Sequence, residues 1–357
     1  MEFGINFFPT VGPGDKDAAD YYEESLRLVE RAEELGFDHV KTVEHYFFQY
    51  GGYCPDPVTF LAAAAARTRR IQLVTGAVIP AFTHPVKLAG KLAMLDNISR
   101  GRLRVGFGRA FLPDEFDAFG VDLDESRARF DEGVLACRRL WTEEDVVWDG
   151  TFHSFGPVTL LPRPYQRPHP PILVATAKTP SSCEQAGREG HGLMMVPSIN
   201  KRETVQEMLG LYRKAWAEAG HPGEGEVHMS YGCYLSDDPD EARAKGREYA
   251  RRANSVMRDA VASWAERRST GYAGYEKVVE NIARADFDRS LAENKTLVGT
   301  PEEVVARLRA IRDWFGDITV SLQVISGNPP YEESERTMRL FAEGVLPHFR
   351  DPAGTAD

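Results

Sequence analysis

The sequence predicts an α/β chain folded as a (β/α)8 TIM barrel, with a hairpin excursion before the fifth strand and a long lid after the seventh. Three observations carry that prediction. Short apolar runs alternate with longer helical periods through almost all 357 residues. The runs are nearly all apolar, as parallel strands covered on both faces should be. No glycine-rich dinucleotide turn follows the first run, which disfavours a doubly wound open sheet, the competing arrangement.

The elements follow in order. FGINFF (3–8) reads as the first strand, and DYYEESLRLVERAEELGF (20–37) as an amphipathic helix closed by Gly36. HVKTVEH (39–45) is the second strand, followed by the Ala-rich helix VTFLAAAAART (58–68). IQLVTGAVI (71–79) is the third, and its helix HPVKLAGKLAMLDNIS (84–99) opens with a proline in the first turn. LRVGFG (103–108) is the fourth, with DESRARFDEGVLACRRLW (124–141) as its helix. The aromatic, proline-rich stretch 145–170 interrupts the repeat as a hairpin. PPILVAT (170–176), GLMMVPS (192–198), VHMSYGCYLS (227–236) and GDITVSLQVI (316–325) are the remaining strands, and YEESERTMRLFAEGVLPHF (331–349) closes the barrel. Residues 264–297 carry glycines, tyrosines and charge without periodicity, and a long insert on this side of a barrel reads as a lid or binding loop. Residues 1–350 read as one domain, and the tail DPAGTAD (351–357) is expected to fray.

The bulk composition narrows the function. A net charge of -11 lacks the basic face that nucleic-acid binding needs. No apolar run approaches the ~20 residues of a membrane span, and the first residues lack the pattern of a secretory signal. Cys54, Cys137, Cys183 and Cys233 lie far apart with no CxxC pair, as expected of reduced thiols in a cytoplasmic protein. The histidines show no metal-ligand spacing, so no metal is expected.

Active sites of such barrels lie at the C-terminal ends of the strands. His45, the last residue of the predicted second strand, would stand there as a group able to accept or donate a proton near neutrality. A hydrogen bond to a loop carbonyl is the alternative role, and spacing alone does not decide between them. Glu44 and Tyr46 flank it as a buried partner and a hydrogen-bond donor. The fourth strand ends in RVGFGRAF, where Gly106 and Gly108 admit a close neighbour and Arg109 is a fixed cation, unless Asp114 or Glu115 pairs with it. After the fifth strand, TAKTPSS brings Thr179, Ser181 and Ser182 to a helix N-terminus, which suits an anion such as phosphate and is equally the signature of a simple N-cap. His84 reads as structural because it opens a helix away from the other candidates.

TVEHYFFQYGG, IPAFTHPVKLAGKLAMLDNISRGRLRVGFGRAFLPDEFDAFGVDLDESRARFDE, the AGREG turn and the VGTPEE helix opening together resemble the bacterial luciferase-like flavin monooxygenases, close to the luciferase α-subunit pattern. The resemblance runs over nearly the whole chain. It implies a TIM-barrel enzyme that receives reduced FMN from a separate flavin reductase. Oxygen would add to that flavin as a hydroperoxide and one oxygen atom would pass into an organic substrate. Secondary metabolism such as antibiotic biosynthesis is the expected setting.

Carried over by position, His45 serves proton transfer and Arg109 holds the flavin phosphate, helped by Ser182, Ser181 and Thr179. Glu115 lies near the flavin, and Gly76, Ala77, Gly108 and Thr176 complete the cofactor-binding set. The segment 264–297 corresponds to the family's mobile loop, which shields a water-sensitive oxidant. Departures from the luciferase pattern are Gly108 for a reactive cysteine, Tyr46 for a second histidine and Thr176 for a glutamate, which put light emission and long-chain aldehydes in doubt. Phe7, Phe8, Tyr46, Phe47 and Phe111 suggest an aromatic or bulky apolar substrate. A deazaflavin-dependent oxidoreductase of the same superfamily and a non-catalytic flavin-binding homologue are the other readings. The resemblance also implies a homodimer through helices near strands two and three, where Ala62 to Ala66 permit close approach.

Overall fold

The computed structural model describes residues 1–350, except the side chain of Asn281; the tail expected to fray lies outside the described residues. Among the described residues eleven strands form: β1 (Glu2–Phe7), β2 (His39–Thr42), β3 (Gln72–Thr75), β4 (Leu103–Phe107), β5 (Val146–Asp149), β6 (Ser154–Val158), β7 (Ile172–Ala175), β8 (Gly192–Met195), β9 (Val227–Leu235), β10 (Leu297–Gly299) and β11 (Thr319–Gln323). Eight of them close a parallel barrel in the order β1, β2, β3, β4, β7, β8, β9, β11, with β11 returning to β1 at Glu2–Thr319. The long β9 serves three neighbours: its first residues pair with β8, its middle with β11, and Cys233 to Leu235 with the short β10. β5 and β6 form the antiparallel hairpin expected from 145–170.

The barrel strands end earlier than their apolar runs. β2 stops at Thr42, three residues before His45, and β3 stops at Thr75, so the site residues stand on loops rather than on strand ends. The glycines explain part of this. A Cβ at Gly76 would lie 2.5 Å from the Thr42 carbonyl oxygen, so the backbones approach too closely there for any other residue. A helix absent from the sequence reading, Pro113–Phe119, opens behind Leu112 and closes on the left-handed Gly120.

The barrel axis is more polar than the apolar runs imply. Phe3 and Phe7 turn outward onto the helices, against Phe341 and Phe60 at 5.4 and 5.6 Å. The alternate positions face inward. His39 Nε2 lies 2.8 Å from Ser321 Oγ across the barrel, and Lys41 Nζ donates to Ser230 Oγ at 2.8 Å. Towards the strand beginnings, Arg104 bonds both Gln72 and Glu226, and His228 Nε2 meets the other Glu226 oxygen at 2.5 Å. Glycines make room for this column: a Cβ at Gly4 would fall 2.4 Å from the His39 ring. All four cysteines are buried and free, and burial lifts the Cys54 thiol to about 12.

Candidate active site

The loop after β2 is built around two buried carboxylates. Glu44 Oε1 accepts from the Tyr46 hydroxyl at 2.7 Å, and Oε2 accepts from the Ile79 N–H at 3.1 Å. Burial pushes the Glu44 carboxyl up to about 7, and the same burial, followed by the Glu44 charge, raises the Tyr46 phenol. Glu115, 1% exposed, reaches in from the helix Pro113–Phe119. Its Oε1 accepts the Tyr46 N–H at 2.8 Å and stands 3.1 Å from His45 Nδ1. With Nδ1–H donating to that carboxylate, His45 Nε2 is the open nitrogen.

His45 is 8% exposed, and its ring is walled by Tyr50, Phe8 and Phe111 at centroid distances of 5.1, 5.7 and 5.8 Å. The glycine pair that closes TVEHYFFQYGG has a direct cause. Gly51, at φ +79°, passes so close that a Cβ would lie 2.7 Å from His45 Cβ and Cδ2, and one at Gly52 would strike the Phe48 carbonyl.

A second cluster lies where β4 and β7 end. Arg109 pairs with neither acid: Asp114 accepts from Ser263 at 2.6 Å and Glu115 is taken by His45. Its guanidinium instead donates to the Gly271 carbonyl at 2.8 Å and lies 4.4 Å over the Tyr272 ring, so the lid holds it. Ser182 is buried on the first turn of the helix Pro180–Glu189, and Ser181 and Thr179 are exposed beside it. Thr179 caps that helix without a side-chain bond and the Ser182 N–H is taken by the Thr179 carbonyl at 3.1 Å, so the Thr179 hydroxyl and the Ser181 N–H are the groups left to an anion.

Arg127, which the sequence reading missed, donates to Ser182 Oγ at 2.6 Å. Burial, and then the charge of Arg109, lowers its proton affinity. Arg127 at that helix N-terminus, with Arg109 near enough for its charge to act on it, suits a phosphate, which would relieve their repulsion. Its sequence signal was the SR pair, Ser126-Arg127, within the family-like stretch, which names no role for the arginine.

Bare backbone lines the mouth between the clusters. Gly76, Ala77 and Ala175 reach solvent there, and a Cβ on Gly108 would sit 2.8 Å from that of Ala77. Thr176 is buried and accepts from Cys183. Of the proposed aromatic lining, Phe7 faces the helices, while Phe8 and Phe111 contact His45. Phe47 is 66% exposed at φ +67°, outside the pocket. His84 accepts from Val86 N–H as an N-cap, the structural role expected for it.

The 264–297 segment is held by tilted and edge-on aromatic packing and by the loop after β4. Trp264, Tyr272 and Tyr275 pack together at 5.2 to 5.5 Å. Trp264 Nε1 donates to the Phe111 carbonyl and the Tyr272 hydroxyl to that of Ala110, at 2.9 and 2.7 Å. Lys178 reaches over Tyr275 from the opposite rim.

The model of the luciferase-like monooxygenase family matches residues 1–317. The solved structure of the monooxygenase RslO1 from Streptomyces bottropensis is 66% identical in sequence, covers 98% of this chain and 100% of that one, and superposes with a TM-score of 0.90. The oxygenase component of the flavin-dependent trigonelline monooxygenase of Acinetobacter baylyi is 28% identical over 335 residues, 92% of this chain and 90% of that protein. The oxygenating constituent of 3,6-diketocamphane monooxygenase from Pseudomonas putida, solved with FMN, superposes with a TM-score of 0.80 over 98% of each chain. At 22% identity that last likeness is one of fold.

Proposed function

The chain belongs to the luciferase-like monooxygenase family, and from that premise we propose that it takes reduced FMN from a separate reductase and places one atom of O2 into an organic substrate. What supports this reading is Arg127 bonded to Ser182 at one helix N-terminus, Arg109 near enough for its charge to act on Arg127, and the buried His45–Glu115 pair on the loop after β2. Reduced FMN would supply the two electrons that activate oxygen. Arg109, Arg127, Ser182 Oγ and the Ser181 N–H would hold its phosphate, and the bare floor at Gly76, Ala77 and Gly108 would accept its ring.

His45 Nε2 is then the group that moves protons at the ring, with Glu115 fixing the other nitrogen. The tyrosine-rich lid excludes water, and the aromatic walls at Phe8, Tyr50 and Phe111 favour an aromatic or bulky apolar substrate. We also assign a homodimer, supported by Met94 and Ile98, which stand half-exposed one turn apart on the helix Pro85–Ser99 beside the Ala-rich helix. Sedimentation showing a monomer at micromolar concentration would remove it.

The test is stopped-flow oxidation of bound reduced FMN by 18O2. Hydrogen peroxide release should slow by at least about tenfold relative to free reduced FMN, because the lid withholds water. With a panel of phenols and aryl ketones, one product should carry a single 18O atom. Peroxide released as fast as from free flavin, with no labelled product, would defeat the reading.

A further inference from the structure

We propose that Lys41 is a positioning residue that makes the site prefer the reduced, anionic form of the cofactor over the oxidised, neutral one. This rests on the flavin reading above. Lys41 lies on the axis side of β2 and is 3% exposed. Its ammonium has one partner, the Ser230 hydroxyl, and no carboxylate within ion-pair distance among the described residues. A buried charge without a counter-charge opposes folding, so its presence calls for a function elsewhere.

The surroundings leave that charge uncompensated from every side. Towards the strand beginnings, burial holds His39 and His228 well below their ordinary proton affinity, so neither is a partner of either sign. Glu226, the nearest acid of the column, is already bonded by Arg104 and His228. Towards the mouth, Glu44 is engaged by Tyr46 and Ile79, and Glu115 by His45 and Tyr46.

Geometry then links Lys41 to the cofactor floor. A Cβ on Gly76 would sit 3.2 Å from Lys41 Cγ, so the lysine stem packs directly beneath the bare backbone at the mouth. An anion arriving on that floor supplies the missing counter-charge. Burial brings the amine down to about 7, and an anion overhead would keep the proton on it. An oxidised flavin ring carries no net charge and gains little. By Coulomb's law at an effective dielectric of about 20, a unit charge changes binding roughly tenfold or more for any separation up to about 12 Å.

The experiment is anaerobic titration of the wild type and Lys41→Met with FMN and with dithionite-reduced FMN, read by fluorescence. Methionine keeps the stem and removes only the unpaired charge; should that variant not fold, Lys41→Gln takes its place. The wild type should favour the reduced form. The variant should lose about tenfold on reduced FMN and stay within about twofold on oxidised FMN. The bound couple's midpoint potential should fall by about 30 mV, the two-electron equivalent of that factor. An unchanged ratio, or equal losses on both forms, would overturn the inference and leave Lys41 a structural group. A wild-type chain binding neither form would overturn the flavin reading itself, and this inference with it.

Discussion

Arg127→Met isolates the guanidinium that the structure adds to the phosphate site. In the folded chain Arg127 donates to Ser182 Oγ at 2.6 Å and lies 3.9 Å from Asp131, a long pairing it can loosen while turning its remaining N–H groups to an anion. A charge-assisted hydrogen bond to phosphate is worth about 1.5–3 kcal/mol, so the variant should bind FMN roughly 10- to 150-fold more weakly. Arg109→Met should cost less. To reach the phosphate, Arg109 must leave the Gly271 carbonyl and the Tyr272 ring, and those contacts return about 1–2 kcal/mol when it is removed from the balance. The assay is flavin fluorescence titration with FMN and with riboflavin, which lacks the phosphate. Riboflavin affinity should be the same in the wild type and both variants. Equal binding of FMN and riboflavin by the wild type, or an Arg127→Met chain with unaltered FMN affinity, would refute the two-arginine site.

Three further perturbations probe the imidazole's surroundings. Glu115→Ala should lower turnover about 10- to 100-fold while FMN affinity stays within about threefold, because Glu115 holds His45 rather than the cofactor; a loss confined to FMN binding would reverse that assignment. Glu44→Gln should flatten the pH dependence of stability. The Glu44 carboxyl is raised from 4.5 to about 7, so its stabilising contribution is full below about pH 4.5 and is lost as pH rises through about 7. At about 1.4 kcal/mol per unit, up to roughly 3 kcal/mol disappears over that window in the wild type and not in the variant, and parallel urea-midpoint profiles would contradict it. Gly51→Ala should cost about 2–4 kcal/mol, from a left-handed φ of +79° and a Cβ 2.7 Å from the His45 ring, and should depress turnover with it. Gly14→Ala, which meets nothing within 4 Å, is the matched control and should change neither.

Much of the barrel was legible because apolar runs and helical periods alternate, and the hairpin at 145–170 announced itself by its aromatics and prolines. Strand ends were not, because Val43 and Val78 continue the apolar pattern past Thr42 and Thr75 where the ladder stops. The polar axis was hidden by the same runs. In β2 the histidine and lysine sit among residues whose side chains face the helices, and only the closed barrel shows that His39 and Lys41 look inward. His45, Arg109 and Ser182 could be read from local motifs. Glu115 was read as a flavin neighbour, yet its hydrogen bond to His45 spans 70 residues, a distance no local pattern encodes. Arg127 meets Ser182 across 55 residues, and although its SR pair lies in the family-like stretch DESRARFDE, nothing local says what it touches.

A crystal soaked with FMN would test the account at its centre. The phosphate should lie between the Arg109 and Arg127 guanidiniums and Ser182 Oγ, with Gly271 released by Arg109 and the ring lying over Gly76 and Gly108 towards His45 Nε2. A mononucleotide bound with its phosphate away from both arginines would contradict the account, however tightly it bound.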